Sequence, residues 1–353
     1  MICYHHNDLD GRAAAYLVGK FSHNFNMDSF KECDYQDKFD KHGKNDVVFI
    51  VDISISESTY QMLIDTCKSA LHVIWIDHHA TSIDLIKRHG IELMQIPNLD
   101  YFVSNCACGA VLTYAFFKTF ENPFRYTDLI DTHKRYSEIN ASYEYSEESS
   151  NGFIHVTAVN GFYVAADKFI KIPKWLFHVD DYDCWKNIDI STNRFKLGTD
   201  ACNTKLFIRL PNNKQFVVNP FWDDLFEYEN KIYEYIENGT VIQKYLESRY
   251  ADELEKVFEK KIDGTTFICK NAMGNSWNFA DLLKKYDAAI LFNFNGKTHM
   301  WTYSIYSDEN SKFDCKKFAE KYGGGGHVHA AGFSSEMLIF VKYDIYTFPP
   351  LKS

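Results

Sequence analysis

Three short clusters near the start of the chain combine acids with histidines: His6-Asn7-Asp8-Leu9-Asp10-Gly11, the lone Asp52, and Asp77-His78-His79. A fourth acidic group, Asp180-Asp181-Tyr182-Asp183, follows much later. Carboxylates brought into one place repel one another and need divalent cations between them. Mixed Asp and His donors suit Mn2+, Mg2+ or Fe2+ better than a thiolate-rich zinc site does. Taken singly, each cluster has an ordinary reading: an Asp after a strand caps a helix or forms a turn, and a His pair sits at the surface. Four of them in order, each after an apolar run, outweigh those readings.

The elements that must position these side chains are legible as apolar runs. Met1–His5, Val47–Val51 and Leu71–Ile76 read as strands, each ending in one of the clusters, and Ile91–Ile96 reads as a fourth strand. Gly11–Phe21 and Glu57–Cys67 have helical spacing. Near-continuous apolar strands separated by helices predict an α/β fold with a parallel sheet covered on both faces. In such sheets ligands bind outside the carboxyl ends of the strands, so residues distant in sequence converge there. The run Trp175–Val179 reads as a further apolar element ahead of the fourth cluster.

Residues Lys134–Ser150 read as an exposed polar insertion, and Glu227–Lys261 as helices bridging two domains. Strand-like runs at Thr265–Lys270, Ala288–Phe294 and Met300–Tyr306 follow, then a helix at Phe313–Tyr322 and the glycine run Gly323–Gly326. The organisation expected is a first domain over 1–225, a helical linker over 226–262 and a smaller α/β domain over 263–353, with the site in the cleft between the domains.

The chain has 353 residues with 38 Lys and Arg against 48 Asp and Glu, a net charge of −10. That balance excludes a protein coating long duplex DNA by phosphate neutralisation, but not one gripping a short, metal-bound phosphate ligand. Hydrophobic residues at 46% and charged ones at 24% exclude disorder. Nine scattered cysteines read as free thiols in a reducing compartment, and Cys106-x-Cys108 lacks a second thiol pair for zinc. No apolar run approaches a membrane span, and the expected location is cytoplasmic, with no membrane partner.

The sequence resembles the DHH phosphoesterases. His6-x-Asp8-x-Asp10-Gly11, Asp52, Asp77-His78-His79 and Asp181 look like the family's four motifs. Gly323-Gly324-Gly325-Gly326-His327-Val328-His329-Ala330-Ala331-Gly332-Phe333 is similar to the signature of the DHH-associated C-terminal domain. The resemblance implies two divalent ions, Mn2+ first and Mg2+ second. By similarity His6 and Asp8 hold one, Asp10 and His78 the other, and Asp52 bridges; of Asp180, Asp181 and Asp183, the family's Asp-Tyr-Asp-x-Trp run points to Asp181 as the acid that completes the second ion. It implies that Asp77 orients a ligating histidine and that His79 stands by the scissile phosphate. Gly324, Gly325, Gly326 and His327 would form a phosphate pocket. Arg12 reads either as a phosphate contact or as a solvated helix residue. Tyr306, in Ser304-Ile305-Tyr306-Ser307, stands where many members carry an arginine, and it could stack on a base but not supply a bidentate cation.

The function implied is hydrolysis of short single-stranded oligonucleotides or linear dinucleotides to nucleoside 5′-monophosphates. A RecJ-type single-strand exonuclease, a phosphoesterase for cyclic dinucleotides or 3′-phosphorylated nucleotides, and a non-catalytic nucleotide binder are the alternatives. The partner is a short nucleic acid or dinucleotide, and a homodimer stays open.

Overall fold

The computed structural model of the chain describes all residues except 35–36, 120–137, 147–150, 161–162, 210–215, 255, 273–282 and 343–353. Five parallel strands form the first sheet: β1 (Ile2–His6), β2 (Phe30–Cys33), β3 (Val47–Val51), β4 (His72–Asp77) and β5 (Leu99–Val103), in the order β2-β1-β3-β4-β5. The order reverses between β1 and β3, which makes their carboxyl ends the switch point of the sheet.

The sheet is buried on both faces at its centre, where β3 is apolar at every position and fully buried. Val47, Phe49 and Val51 of β3 enter one core and Val48 and Ile50 the other, following the two-residue period of a strand. The first core is closed by α1 (Leu9–Ser22) and α4 (Gly109–Thr119), through Ala13, Leu17, Val111 and Ala115. The second is closed by α2 (Glu57–Ser69) and α3 (Ala80–Met94), through Leu63, Cys67, Leu85 and Leu93, around the fully buried Trp75. The expected strand at Ile91–Ile96 is corrected: Ile91 to Met94 finish α3, and the strand that follows β4 is β5, Leu99–Val103.

A three-stranded antiparallel sheet follows, made of β6 (Glu138–Ser146), β7 (Asn151–Asn160) and β8 (Tyr163–Lys171). The described part of the expected Lys134–Ser150 insertion is thus a paired strand; residues 134–137 and 147–150 lie outside the described residues. Ile139, Ala141, Tyr143 and Tyr145 pack on the first core, alternating with the polar Asn140, Ser142 and Glu144. Beyond it run α5 (Lys174–Asp183), α6 (Thr192–Asp200), the short pair β9 (Phe207–Arg209) and β10 (Phe216–Val218), then α7 (Pro220–Glu227) and α8 (Lys231–Leu254). The run Trp175–Val179 is the body of helix α5 and not a strand.

The chain divides into two compact units, Met1–Lys244 and Tyr245–Ser353. The second holds a mixed six-stranded sheet in the order β11 (Phe258–Ile262), β12 (Thr265–Asn271), β13 (Ala288–Asn295), β14 (Met300–Tyr306), β16 (Ala330–Ser335) and β15 (Gly325–Gly326). Its core gathers Phe267, Ile290, Tyr303 and Phe333 under the short helix α9 (Cys315–Glu320). All nine cysteines are free. Among the described residues no helix is long and apolar enough to cross a membrane.

Candidate metal centre

The first three motifs all emerge at the carboxyl edge of the parallel sheet. His6 closes β1, Asp52 follows β3, and Asp77-His78-His79 closes β4 and opens α3. Asp52 adopts a left-handed backbone, φ 55°, a conformation that costs a non-glycine residue about 1 kcal/mol and turns its side chain out of the strand's alternation. Asp8 caps α1 by accepting from Gly11 N at 2.9 Å, and its other oxygen meets His6 Nδ1 at 2.7 Å.

Ligand-type atoms of His6, Asp8 and Asp52 lie within 4.8 Å of one another, and so do those of Asp52, Asp77, His78 and His79. Asp52 therefore belongs to both groups. His78 Nε2 stands 3.2 Å from Asp52 Oδ1, 3.3 Å from Asp183 Oδ2 and 3.7 Å from Asp10 Oδ2. A single ring nitrogen cannot satisfy three carboxylates. Asp52 Oδ1 is buried without a hydrogen-bond partner among the described residues, although a buried unpaired carboxylate oxygen is costly. This donor set fits divalent cations.

The electrostatics agree. Burial first, then repulsion from Asp10 and Asp8, pushes Asp52 well above the usual carboxylate range. The same two causes raise Asp183. Asp10 is pushed up to about 6 by burial and by Asp8, against the backbone bonds that favour its ionised form. Asp8 goes the other way: burial works to raise it, and the hydrogen bond and charge of His6 outweigh burial and hold it low. Burial likewise works to raise Asp77, but His79, donating to it at 2.7 Å, holds the carboxyl down at about 2. Asp77 thus orients His79, where the resemblance had it orient a ligating histidine.

The N-terminus of α4 supports Asp10. Gly109 N donates to Asp10 Oδ2 at 2.7 Å and Ala110 N to Oδ1 at 2.8 Å, an arrangement that fixes both oxygens. A side chain at Gly109 would put Cβ 2.7 Å from Asp52 Cβ and 3.1 Å from Asp10 Oδ2, so only glycine fits behind the two carboxylates.

In the fourth motif the geometry corrects the choice of Asp181. Its Oδ1 accepts from Ile188 N at 2.7 Å, and its Oδ2 from Asp189 N at 3.1 Å and Thr192 Oγ1 at 2.6 Å. Both oxygens are committed to the turn after α5. Asp180 is equally committed, to Cys108 N at 2.7 Å and Lys186 Nζ at 2.6 Å. Asp183, one helical turn on, is the carboxylate beside His78, with Cys184 next to it in the same group.

The other expected substrate residues are engaged as follows. Arg12 is engaged within the first unit, its Nε on Glu32 Oε1 at 2.6 Å and its Nη1 on Thr204 Oγ1 at 3.0 Å, so it ties α1 to β2 and is neither a solvated residue nor an open phosphate contact. Gly324 N donates to Ala319 O at 3.0 Å, closing the C-terminus of α9, and an added Cβ would stand 2.1 Å from Gly332 O. Its amide is spent in the cap and does not open a nest. Gly325 and Gly326 form the edge strand β15, and His327 begins a tight turn closed by its N–H on Ala330 O at 2.7 Å. Tyr306 packs beside Ile268, Leu283 and Ala289.

Comparison with known proteins follows the same lines. An uncharacterized protein, R106, of Acanthamoeba polyphaga mimivirus is 23% identical over 182 residues, which cover 46% of this chain and 37% of that relative. The chain therefore spans well under half the length of that curated relative. Among solved structures, it is similar to the pGpG-specific phosphodiesterase PggH from Vibrio cholerae, with 14% identity, TM-score 0.41 and coverage of 98% of this chain and 96% of the other. It is also similar to an exopolyphosphatase-related protein from Bacteroides fragilis, with 12% identity, TM-score 0.40 and coverage of 94% and 85%. The model of the DHH family, N-terminal domain, matches residues 1–139, the stretch that carries β1, Asp52 and Asp77-His78-His79. Residues 1–139 thus belong to the DHH family as its N-terminal domain.

Proposed function

We propose that the protein is a divalent-metal-dependent phosphodiesterase that hydrolyses short single-stranded oligonucleotides or linear dinucleotides to nucleoside 5′-monophosphates. The observation that carries this is Asp52, whose carboxylate stands at the switch point and belongs at once to the group of His6 and Asp8 and to that of His78. His6, Asp8 and Asp52 would hold one ion, and Asp52, His78 and Asp183, backed by Asp10, the other.

Two such ions, Mn2+ or Mg2+, supply Lewis acidity toward phosphoryl oxygens and lower the pKa of the attacking water. The chain's own residues do the positioning. Asp10 is locked by the α4 amides and Asp8 by His6, so the acidic wall is organised before substrate arrives. Asp77 fixes the ring of His79 and thereby gives the phosphate a neighbour of set orientation as charge develops. In the overall step the water oxygen forms a bond to phosphorus and the P–O3′ bond breaks. The phosphate stays on the 5′ oxygen, and the leaving 3′ oxygen takes a proton. No protein nucleophile is required.

The test is turnover of purified protein with Mn2+ on dinucleotides, longer single strands, cyclic dinucleotides and pyrophosphate, with products identified by mass. Dinucleotide cleavage to 5′-monophosphates, lost in Asp52→Asn and His78→Ala, is the expected result. A rate no faster than that of these two variants on every substrate overturns the enzyme reading, and preference for 20-mers over dimers replaces it with the long-strand exonuclease.

A further inference from the structure

At one end of the second unit's sheet the register sets Thr266, Asp287 and Asp308 in a row, with Ser307 and His329 level with Ala288 in the row one residue further in. Both rows are tied together. Thr266 N donates to Asp287 Oδ2 at 3.3 Å, and Ser307 N to His329 O at 3.0 Å, with the Ser307 hydroxyl 3.0 Å from His329 Nδ1. The same end carries the turn that follows Gly325-Gly326.

Beside the Thr266–Asp287 side of the first row opens a concavity of about 630 Å³, within the size range of small-molecule sites. Lys284, Lys285 and Lys312 line it. Their backbones are anchored: the preceding Leu283 is buried with Ile268, Ala289 and Leu291, and Ser311, before Lys312, donates its hydroxyl to Asp287 O at 2.8 Å. Lys285 and Lys312 are exposed and form no ion pair among the described residues. The two acids in the wall are turned to their own surroundings, Asp287 to Thr266 N and Asp308 to Asn310 N at 2.9 Å. In a chain of net charge −10, the hollow gathers three lysines against two aspartates. Tyr286, also in the wall, is a half-buried ring that packs against the Ile268–Leu291 cluster and donates its hydroxyl to Glu259 Oε1 at 2.5 Å.

We propose that this concavity is a subsite for the backbone of a single-stranded oligonucleotide, with Lys285 and Lys312 on phosphates and Tyr286 as a stacking platform for a base. The proposal rests on the phosphodiesterase reading and concerns the backbone of substrates longer than a dinucleotide. A dinucleotide has no phosphate to spare for it; a hexanucleotide does.

The test is fluorescence anisotropy of 5′-fluorescein-labelled hexanucleotides and dinucleotides on the full chain in EDTA, between 25 and 200 mM salt, an approach that needs no turnover. Replacing both lysines, Lys285→Gln with Lys312→Gln, should weaken hexanucleotide binding about 10-fold at the low-salt end and reduce the salt slope by about 1.4, roughly 0.7 per lost phosphate contact on a single strand. Dinucleotide binding should not change. The charge-reversed pair, Lys285→Glu with Lys312→Glu, should abolish hexanucleotide binding while the melting curve is retained. No hexanucleotide binding by the wild type, or binding and slope unchanged in the reversed pair, overturns the subsite. Competition by inorganic polyphosphate that depends on the lysines but is indifferent to Tyr286→Ala, with no such competition by oligonucleotide, overturns the assignment to nucleic acid. Failure of the phosphodiesterase reading has a separate signature: lysine-dependent hexanucleotide binding with no Mn2+-dependent cleavage of any diester.

Discussion

Replacing Asp183 and Asp181 in turn should produce opposite effects on metal binding and on stability, although the two acids lie one residue apart on either side of Tyr182. Asp183 shares His78 Nε2 as a neighbour with Asp52 and Asp10, at 3.3, 3.2 and 3.7 Å, so the three carboxylates are about 7 Å apart or closer. At an effective dielectric near 20, two like charges at that separation repel by about 2 kcal/mol. Asp183→Asn removes one such charge, and the metal-free variant should be at least as stable as the wild type, by about 1–2 kcal/mol. With Mn2+ at about 1,000 times its dissociation constant the wild type gains about 4 kcal/mol; a 100-fold loss of affinity in the variant leaves about 1.4 kcal/mol of that gain.

Asp181→Asn acts on the fold instead. An amide at the Oδ2 position faces Asp189 N and the Thr192 hydroxyl, two groups that now donate to the carboxylate. Hydrogen bonds to charged groups contribute about 1.5–3 kcal/mol each, so the loss should be about 3–5 kcal/mol of stability with Mn2+ affinity within about threefold of wild type. Urea unfolding with and without Mn2+, joined to calorimetric titration of Mn2+ into folded protein, reads both quantities. The reverse pattern, with Asp181→Asn stable and blind to Mn2+ and Asp183→Asn unchanged in affinity, would refute the assignment of the fourth-motif ligand.

Three further outcomes can be checked. Gly109→Ala forces a Cβ to within 2.7 Å of Asp52 Cβ and should lower Mn2+ affinity about 10–100-fold, whereas Gly90→Ala, whose Cβ meets only Ile86 at 3.8 Å inside α3, should add about 0.5–1 kcal/mol of stability with calorimetric Mn2+ binding unchanged. Lys186→Met strips Asp180 of the ammonium at 2.6 Å and leaves a buried charge on Cys108 N alone, a loss of about 3–5 kcal/mol in urea unfolding. His178 is fully buried, and burial lowers its pKa to about 4; the Thr192 hydroxyl, which donates to Asp181, can only accept from its Nδ1. Because the unfolded chain binds that proton near pH 6.5 and the folded one only near 4, its contribution is present above pH 6.5 and lost as pH falls toward 4, up to about 3 kcal/mol; His178→Phe should flatten that part of the stability profile.

How much of this was legible in the sequence depends on what kind of signal each element carries. The strands β1, β3 and β4 are apolar without interruption, because both faces are covered, and the acids that end them stood out for that reason. Helix α3 hid its own end: Ile91 and Met94 are exposed, yet their run with Leu93 and Ile96 imitates a short strand. The strand β6 was missed although Ile139, Ala141, Tyr143 and Tyr145 alternate with polar residues, since the abundance of Ser, Glu and Asn drew a loop reading over the period of two. The fourth motif failed at the level of rotation. On a strand Asp181 and Asp183 would share a face; on helix α5 they are about 200° apart, and only one can meet His78. Arg12 could not have been resolved at all, because its partners Glu32 and Thr204 are brought to it by tertiary structure.

The acidic edge of the sheet also shows why so much unfavourable local structure is concentrated there. Asp52 is held in a left-handed conformation, its Oδ1 is unpaired, and Asp10 and Asp183 are buried close to it with raised pKa values. Protein donors could have relieved this, as they do for Asp180 and Asp181 in the same segment. The chain thus satisfies the carboxylates that build the turn and holds Asp10 by two amides, whereas Asp52 and Asp183 share the single ring nitrogen of His78. Such a division has no structural benefit for the metal-free protein, whose stability it lowers, and it has a direct one for a protein that must bind cations tightly and carry them into contact with phosphate. Supplying a cationic protein donor, for instance by Cys184→Lys beside Asp183, should therefore raise metal-free stability while Mn2+ binding measured by calorimetry disappears; a variant that gains stability and still binds Mn2+ with wild-type affinity would show that the crowded carboxylates serve some other end.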